Sequence, residues 1–259
     1  MDRYLDSRHA IVTGGSRGIG AAVARELVSR GAKVTIMGRS RDALEALAGE
    51  MRGDAGVTVA VEVCDVADPQ SVRAAFAGAT ANLGPAYILV NNAGMAKSQF
   101  FTQMTRDVWD ETLAVNVTGV YNCTIEVLPA MLEAKAGRIV NVASTAGLRG
   151  YRTMSAYCAS KHAVIGLTKA IALETAKQGV TVNAVCPSYT DTYLTSLAVT
   201  NLVNNLNKSP DEAMGMLTRT IPRGTLITPE EVAAAVGWLC SPDASGVTGI
   251  ALPIAGGEV

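Results

Sequence analysis

The chain has 259 residues, 22 Lys and Arg against 23 Asp and Glu, and a formal net charge of −1 at pH 7. That balance offers no electrostatic footprint for nucleic acid, while 49% hydrophobic against 17% charged residues points to a large buried sheet and extensive subunit contacts. No run approaches the roughly 18 apolar residues of a spanning helix, and Met1-Asp2-Arg3-Tyr4-Leu5-Asp6 is too polar for a secretory leader, so a cytoplasmic, single-domain, oligomeric protein is expected.

Short apolar runs alternate with segments of helical period, the pattern of βαβ units feeding a parallel sheet. The first predicted strand, Ala10–Val12, leads into Thr13-Gly14-Gly15-Ser16-Arg17-Gly18-Ile19-Gly20, and a helix is predicted over Gly18–Arg30. Glycines at such a junction permit positive φ and let backbone N–H groups approach a pyrophosphate at the positive end of the helix. The spacing is G-x-x-x-G-x-G rather than G-x-G-x-x-G, and its place between strand and helix marks Gly14, Ser16, Arg17, Gly18 and Ile19 as dinucleotide-binding candidates. A second strand, Lys33–Met37, ends at Gly38-Arg39-Ser40. A carboxylate at that point would hold the ribose 2′-OH of NAD; Arg39, Ser40 and the nearby Arg17 suit a 2′-phosphate instead, so NADP(H) is favoured over NAD(H). The plainer reading makes Arg39 and Arg41 solvated residues opening the helix Arg41–Met51.

The third strand, Thr58–Val63, runs into Cys64-Asp65-Val66, where the carboxylate is placed to accept from an adenine amino group. A helix over Pro69–Leu83 follows, with Asp68 as N-cap. The fourth strand, Tyr87–Asn91, ends in Asn91-Asn92-Ala93-Gly94. Small residues there would let backbone lie against a cofactor, and Asn92 is placed to pin neighbouring strands; a polar cap on the strand end is the alternative. A helix is predicted over Arg106–Glu133, then a strand over Arg138–Ala143. Ser144 follows at the carboxyl end of that strand, where ligands of open α/β sheets bind, with a hydroxyl suited to polarise a carbonyl.

The helix Ala156–Lys177 carries Tyr157 and Lys161 one turn apart on one face. A free tyrosine, with a pKa of about 10, is a poor base at neutral pH. A neighbouring ammonium favours phenolate, so the pair is expected to lower the Tyr157 pKa and let it exchange a proton with an alcohol/ketone couple. After a sixth strand, Thr181–Cys186, the segment Ser188–Thr228 shows no strand pattern and is expected to form a lid, or else an oligomer contact. The chain finishes with a helix over Pro229–Leu239, capped by Thr228, and a strand over Gly249–Pro253. Cys64, Cys123, Cys158, Cys186 and Cys240 form no C-x-x-C pair and read as packing; with only His9 and His162 beside them, no metal site is expected.

In this order and spacing, Thr13-Gly-x-x-x-Gly-x-Gly20, Asn91-Asn-Ala-Gly94, Ser144 and Tyr157-x-x-x-Lys161 resemble the short-chain dehydrogenase/reductase family, of the ordinary single-domain type, over nearly the whole chain. The resemblance implies an α/β fold: a Rossmann-type, doubly wound, parallel seven-stranded sheet flanked by helices, one domain over 1–259 with a lid at about 188–228. It implies a catalytic tetrad in which Asn116 interrupts a helix and holds a relay water, and Ser144 polarises the carbonyl. Tyr157 is then the acid or base, and Lys161 binds the nicotinamide ribose and lowers the Tyr157 pKa. It implies that Val66 lies with Asp65 at the cofactor, and that Pro187, Thr190 and Thr192 meet the nicotinamide side. The family usually has glycine after that proline; here it is Ser188, which would be strained if positive φ were required.

By position, Met95, Leu148, Tyr151, Met154, Tyr189 and Tyr193 are expected to line a substrate cleft around Ser144 and Tyr157, each also readable as ordinary packing. The set suits a medium-sized apolar or acyl group better than a sugar. The stretch from Val140 to Ala172, Val182–Pro187 and Ala251–Gly257 are similar to β-ketoacyl and polyketide ketoreductases. Arg149, Arg152 and Arg219 are placed either to meet phosphates of a CoA or carrier-protein thioester or as solvated charges. The leading expectation is an NADP(H)-dependent 3-oxoacyl-thioester reductase. Its rivals are an NAD-dependent 3-hydroxyacyl-CoA or secondary-alcohol dehydrogenase and a catalytically silent dinucleotide-binding subunit. A homotetramer is also implied, with Cys123, Val127, Leu128, Ile165 and Leu167 open to assignment at its interface or in the chain's own core.

Overall fold

The computed structural model describes residues 3–53 and 57–259, with no side-chain description at 205 and 206; Met1 and Asp2 of the polar opening lie outside the described residues. Seven strands form one parallel sheet: β1 (His9–Thr13), β2 (Lys33–Gly38), β3 (Val59–Val63), β4 (Ile88–Asn91), β5 (Gly137–Val142), β6 (Val180–Pro187) and β7 (Ala251–Ile254). Their order is β3-β2-β1-β4-β5-β6-β7. Helices α1 (Gly18–Ser29), α2 (Arg41–Arg52) and α9 (Pro229–Leu239) cover one face, and α3 (Pro69–Leu83), α5 (Gly119–Glu133) and α6 (Ser155–Thr175) the other. This two-sided cover explains the unbroken apolar runs. Val12, Val90 and Val140 point to the first layer, while their neighbours Ile11, Leu89 and Ile139 point to the second. Asp68 caps α3, its Oδ1 accepting from Gln70 N at 2.9 Å, and Thr228 with Glu231 forms a capping box at α9.

The structure departs from the sequence reading in two places and, in a third, narrows an alternative that the sequence left open. The helix predicted over Arg106–Glu133 is two, α4 (Arg106–Leu113) and α5, joined by a π-helical turn at Ala114–Thr118 that contains Asn116. The segment 188–228 holds α7 (Tyr193–Leu206) and α8 (Pro210–Thr218). Ser209 and Glu212 form a capping box at the start of α8, with Pro210 in its first turn, a helix signal legible in the sequence. Finally, Cys123, Val127 and Ile165 are buried in the chain's own core, with Leu128 and Leu167 packed against it. The large apolar side chains that α5 and α6 leave exposed are Tyr121, Ile125 and Leu173, the last 83% exposed. All five cysteines are buried free thiols.

Candidate active site

The strand order reverses between β1 and β4, and the carboxyl ends of those strands open the crevice where ligands of such sheets bind. Asn92 closes the gap, its Nδ2 donating to the Thr13 and Gly14 carbonyl oxygens at 3.0 Å each. The Thr13 hydroxyl accepts from the amides of Asn92 and Ala93 at 3.1 Å. Gly14 has φ +61°, and a Cβ there would stand 2.9 Å from Ala93 Cα, so neither the turn nor this close approach admits a side chain. Ile19 reaches the main cavity, whereas Ser16, Arg17 and Gly18 line a second one between α1, α2 and the start of α9. Arg39 is exposed beyond β2 with no hydrogen bond or ion pair among the described residues, and the Ser40 hydroxyl accepts from Ala43 N as the N-cap of α2. Asp65 Oδ1 accepts from Ala67 N at 3.0 Å, and the Val66 carbonyl accepts from Asn122 Nδ2 at 2.9 Å; both residues stand at the end of β3, outside the two cavities.

A cavity of about 200 Å³ lies at the carboxyl ends of β4, β5 and β6. Ser144, Tyr157 and Lys161 line it together with Asn92, Gly94, Pro187, Ser188, Tyr189, Thr190 and Thr192. Ser144 follows β5; its hydroxyl accepts from Ala146 N at 3.1 Å and donates to the Pro187 carbonyl at 3.4 Å. Lys161, 5% exposed, sends Nζ to the Val142 carbonyl at 2.8 Å and lies 5.6 Å from the centre of the Tyr157 ring. Asn116, 1% exposed, is held by paired hydrogen bonds of 2.9 Å with the Met95 backbone and donates to Ser160 Oγ at 3.0 Å. A Cβ on Gly94 would stand 3.4 Å from Asn116 Oδ1 and 3.6 Å from Lys161 Nζ, so these three residues converge.

The electrostatics correct one expectation. Burial pushes the Tyr157 phenol up to about 12, against a smaller downward pull from the Ser144 hydroxyl. Burial also pushes Lys161 down to about 8. Desolvation is the largest cause at both residues, and it favours the neutral phenol at Tyr157. Cys186, buried just beneath the site, has its thiol pushed up to about 11 by burial and is not a thiolate.

Of the expected cleft residues, Met95, Tyr151, Met154 and Tyr189 line the cavity. Leu148 and Tyr193 do not: both are exposed outside it, and Tyr193 carries the Arg17 guanidinium 4.5 Å above its ring. The start of α7 instead contributes Leu194, Thr195 and Ala198, none of them singled out from the sequence. Pro187, Thr190 and Thr192 line the loop side, and the Thr190 hydroxyl donates to the Ser188 carbonyl at 2.9 Å. Ser188 is not strained: the described non-glycine residues with positive φ are Ser7, Lys135, Thr153 and Asn207. Its hydroxyl instead donates to the Glu258 carboxylate, a residue with no local signal in the sequence. Arg149 and Arg152 lie over the rings of Tyr151 and Phe100, and Arg219 donates to the Gly215 carbonyl.

Comparison with known proteins places this geometry among relatives. A family model described as short chain dehydrogenase matches residues 8–202. The chain is 41% identical over 250 residues to a Streptomyces violaceoruber protein assigned as ketoacyl reductase 1 of the granaticin polyketide synthase, covering 96% of this chain and 92% of that one. It is 38% identical over 253 residues to a 3-oxoacyl-[acyl-carrier-protein] reductase of Vibrio harveyi, covering 98% of each. Among solved structures, a variant of the actinorhodin polyketide ketoreductase crystallised with NADPH superimposes with a TM-score of 0.94 at 37% identity, over 100% of this chain and 99% of the other.

Proposed function

The chain belongs to the short-chain dehydrogenase family, and on that premise we propose that it is an NADP(H)-dependent reductase of 3-oxoacyl thioesters. The observation that carries the reading is the meeting of Ser144, Tyr157 and Lys161 on one cavity whose other wall is apolar and aromatic. The residues present fit the cofactor. Gly38-Arg39-Ser40 carries no carboxylate to repel a 2′-phosphate, and the Arg39 guanidinium is exposed and unengaged among the described residues. Arg17 adds a second cation from the glycine turn, while Asn92, Gly94, Thr190 and Thr192 would hold the nicotinamide end. Bound there, NADPH would supply the hydride.

The chain's own residues handle the oxygen and its proton. The Ser144 hydroxyl and the Tyr157 phenol line the same cavity, so one carbonyl oxygen can accept from both. A phenol kept neutral by burial is in the protonation state that reduction requires, and its proton passes to the oxygen as negative charge develops there. Lys161, with a pKa of about 8, is cationic at neutral pH and stabilises the phenolate left behind. Asn116 spends its side chain on Met95 and Ser160, so its part is to hold the Gly94–Met95 backbone against Lys161.

Initial rates of NADPH and NADH oxidation with acetoacetyl-CoA, a soluble 3-oxoacyl thioester, test the proposal. Turnover at least tenfold faster with NADPH is expected. A preference for NADH overturns the cofactor assignment and favours the dehydrogenase reading; no turnover with either removes the thioester. A cytoplasmic homotetramer is part of the same reading, supported by exposed Tyr121, Ile125 and Leu173 on α5 and α6. Light scattering at a monomer mass overturns the oligomer.

A further inference from the structure

Glu258 follows Gly256-Gly257 beyond β7, and its side chain is 0% exposed although no step above uses it. A carboxylate so placed needs donors, and it has them. Tyr151 donates its hydroxyl to Oε1 at 2.7 Å, Ser188 donates its hydroxyl to Oε2, and Arg149 Nη1 lies 3.9 Å from Oε1. These partners belong to two separate walls of the cavity. Tyr151 forms the substrate side: its hydroxyl also pairs with Thr145 Oγ1 at 2.7 Å, and its ring meets Tyr189 edge-on, with centroids 6.4 Å apart. Ser188 forms the loop side: it follows Pro187, whose carbonyl takes the Ser144 hydroxyl, and its own carbonyl takes that of Thr190.

We propose that Glu258 is a positioning residue that couples the aromatic substrate wall to the loop assigned to the nicotinamide, through Tyr151 on one oxygen and Ser188 on the other. The proposal rests on the reductase reading of this cavity. It also accounts for serine at 188: glycine would leave one carboxylate oxygen without its donor, so Ser188 and Glu258 form a matched pair. With Glu258 shortened, the Tyr151 ring loses one of the contacts that fix its tilt, and the link between the two walls is broken.

Steady-state kinetics of Glu258→Ala and Glu258→Gln with acetoacetyl-CoA and NADPH test this. Glu258→Ala is expected to raise the thioester KM about tenfold and lower kcat less than threefold. Glu258→Gln, which keeps one acceptor oxygen, is expected to recover at least half of the loss on a logarithmic scale, and it carries the comparison alone if the alanine variant does not fold. Unchanged KM and kcat beside a lowered melting temperature would make Glu258 a mere anchor and overturn the proposal. A second measurement needs no turnover. Melting temperatures of Tyr151→Phe, Ser188→Gly and the double variant are expected to be non-additive by about 2 °C with Glu258 in place, and additive in the Glu258→Gln background. Additivity in both backgrounds overturns the coupling whatever the substrate. Non-additivity without thioester turnover retains the coupling and removes the reductase reading instead.

Discussion

The floor and the roof of the cavity are built differently. Ser144, Tyr157 and Lys161 stand on β5 and α6 above a buried polar ladder: Asn91 Nδ2 donates to Asn141 Oδ1 at 2.9 Å, and Asn141 Nδ2 donates to Thr168 Oγ1 at 2.8 Å. That ladder ties β4, β5 and α6 into one rigid piece. The roof is α7, whose side-chain hydrogen bonds are local, such as Ser196 to the Thr192 carbonyl, and whose Leu194 and Leu197 are 45% and 39% exposed. Proton transfer tolerates little misplacement, so on the proposed reading its groups sit where buried hydrogen bonds leave one arrangement. Covering an acyl chain asks only for apolar area that can adapt, which a loosely tied helix supplies. Floor variants should therefore act on kcat and roof variants on KM.

The largest effect is expected from Tyr157→Phe. Removing the phenolic proton should lower kcat for ketone reduction about 10³-fold while NADPH binding, followed by its fluorescence, stays within threefold. A loss confined to KM would place Tyr157 with the roof and break the distinction.

Next is the pH dependence. Lys161 is pushed down to about 8 and Tyr157 up to about 12, both by burial. A depressed lysine is cationic below its pKa and neutral above it, whereas Tyr157 stays protonated throughout that range. Reduction should be level from pH 6 to 7 and fall above about pH 8 as the cation beside Tyr157 is lost. Lys161→Met should run about 10²-fold slower and show no inflection near 8. An inflection that survives this substitution belongs to another group.

Arg39 lies on neither floor nor roof and sharpens the comparison from outside. On the proposed reading, charge-assisted bonds from Arg39 to a 2′-phosphate would be worth about 1.5–3 kcal/mol, so Arg39→Ala should raise the NADPH KM about 10- to 100-fold. The NADH KM should move less than twofold. Equal change with both cofactors would make Arg39 a solvated helix-start residue.

How much of this was legible follows the same division. Strands covered on both faces appear as continuous apolar runs, and each predicted strand overlaps its observed counterpart closely; β6 runs Val180–Pro187 against a predicted Thr181–Cys186. Tyr157 and Lys161 were legible because one helical turn aligns them. The break at Asn116 was not legible from periodicity, since apolar spacing runs on through the π-turn, and only the family resemblance marked it. The Tyr157 pKa is raised rather than lowered because spacing records a neighbour's charge but not the burial of the phenol. Glu258 left no local trace: a lone acid after two glycines reads as solvated, and its partner Tyr151 lies 107 residues away. α7 was hidden because it buries little, although the Ser209–Glu212 capping box of its neighbour was there to be read.

The smallest expected effect tests the roof itself. Leu194 lines the cavity yet keeps 45% of its surface exposed, so its truncation removes only part of a leucine's apolar contact with substrate. Half of a full burial is worth about 1 kcal/mol, or roughly fivefold in affinity. Leu194→Ala should therefore raise KM about 3- to 10-fold for a 3-oxoacyl thioester long enough to reach α7, with kcat within twofold, because the floor is untouched. For acetoacetyl-CoA, whose acyl part is short, the shift should be smaller. A KM that rises equally for short and long acyl chains would mean that α7 meets the thioester arm rather than the acyl chain. A fall in kcat as large as that in kcat/KM would mean that α7 helps to aim the carbonyl at Tyr157, and roof and floor would then be one machine.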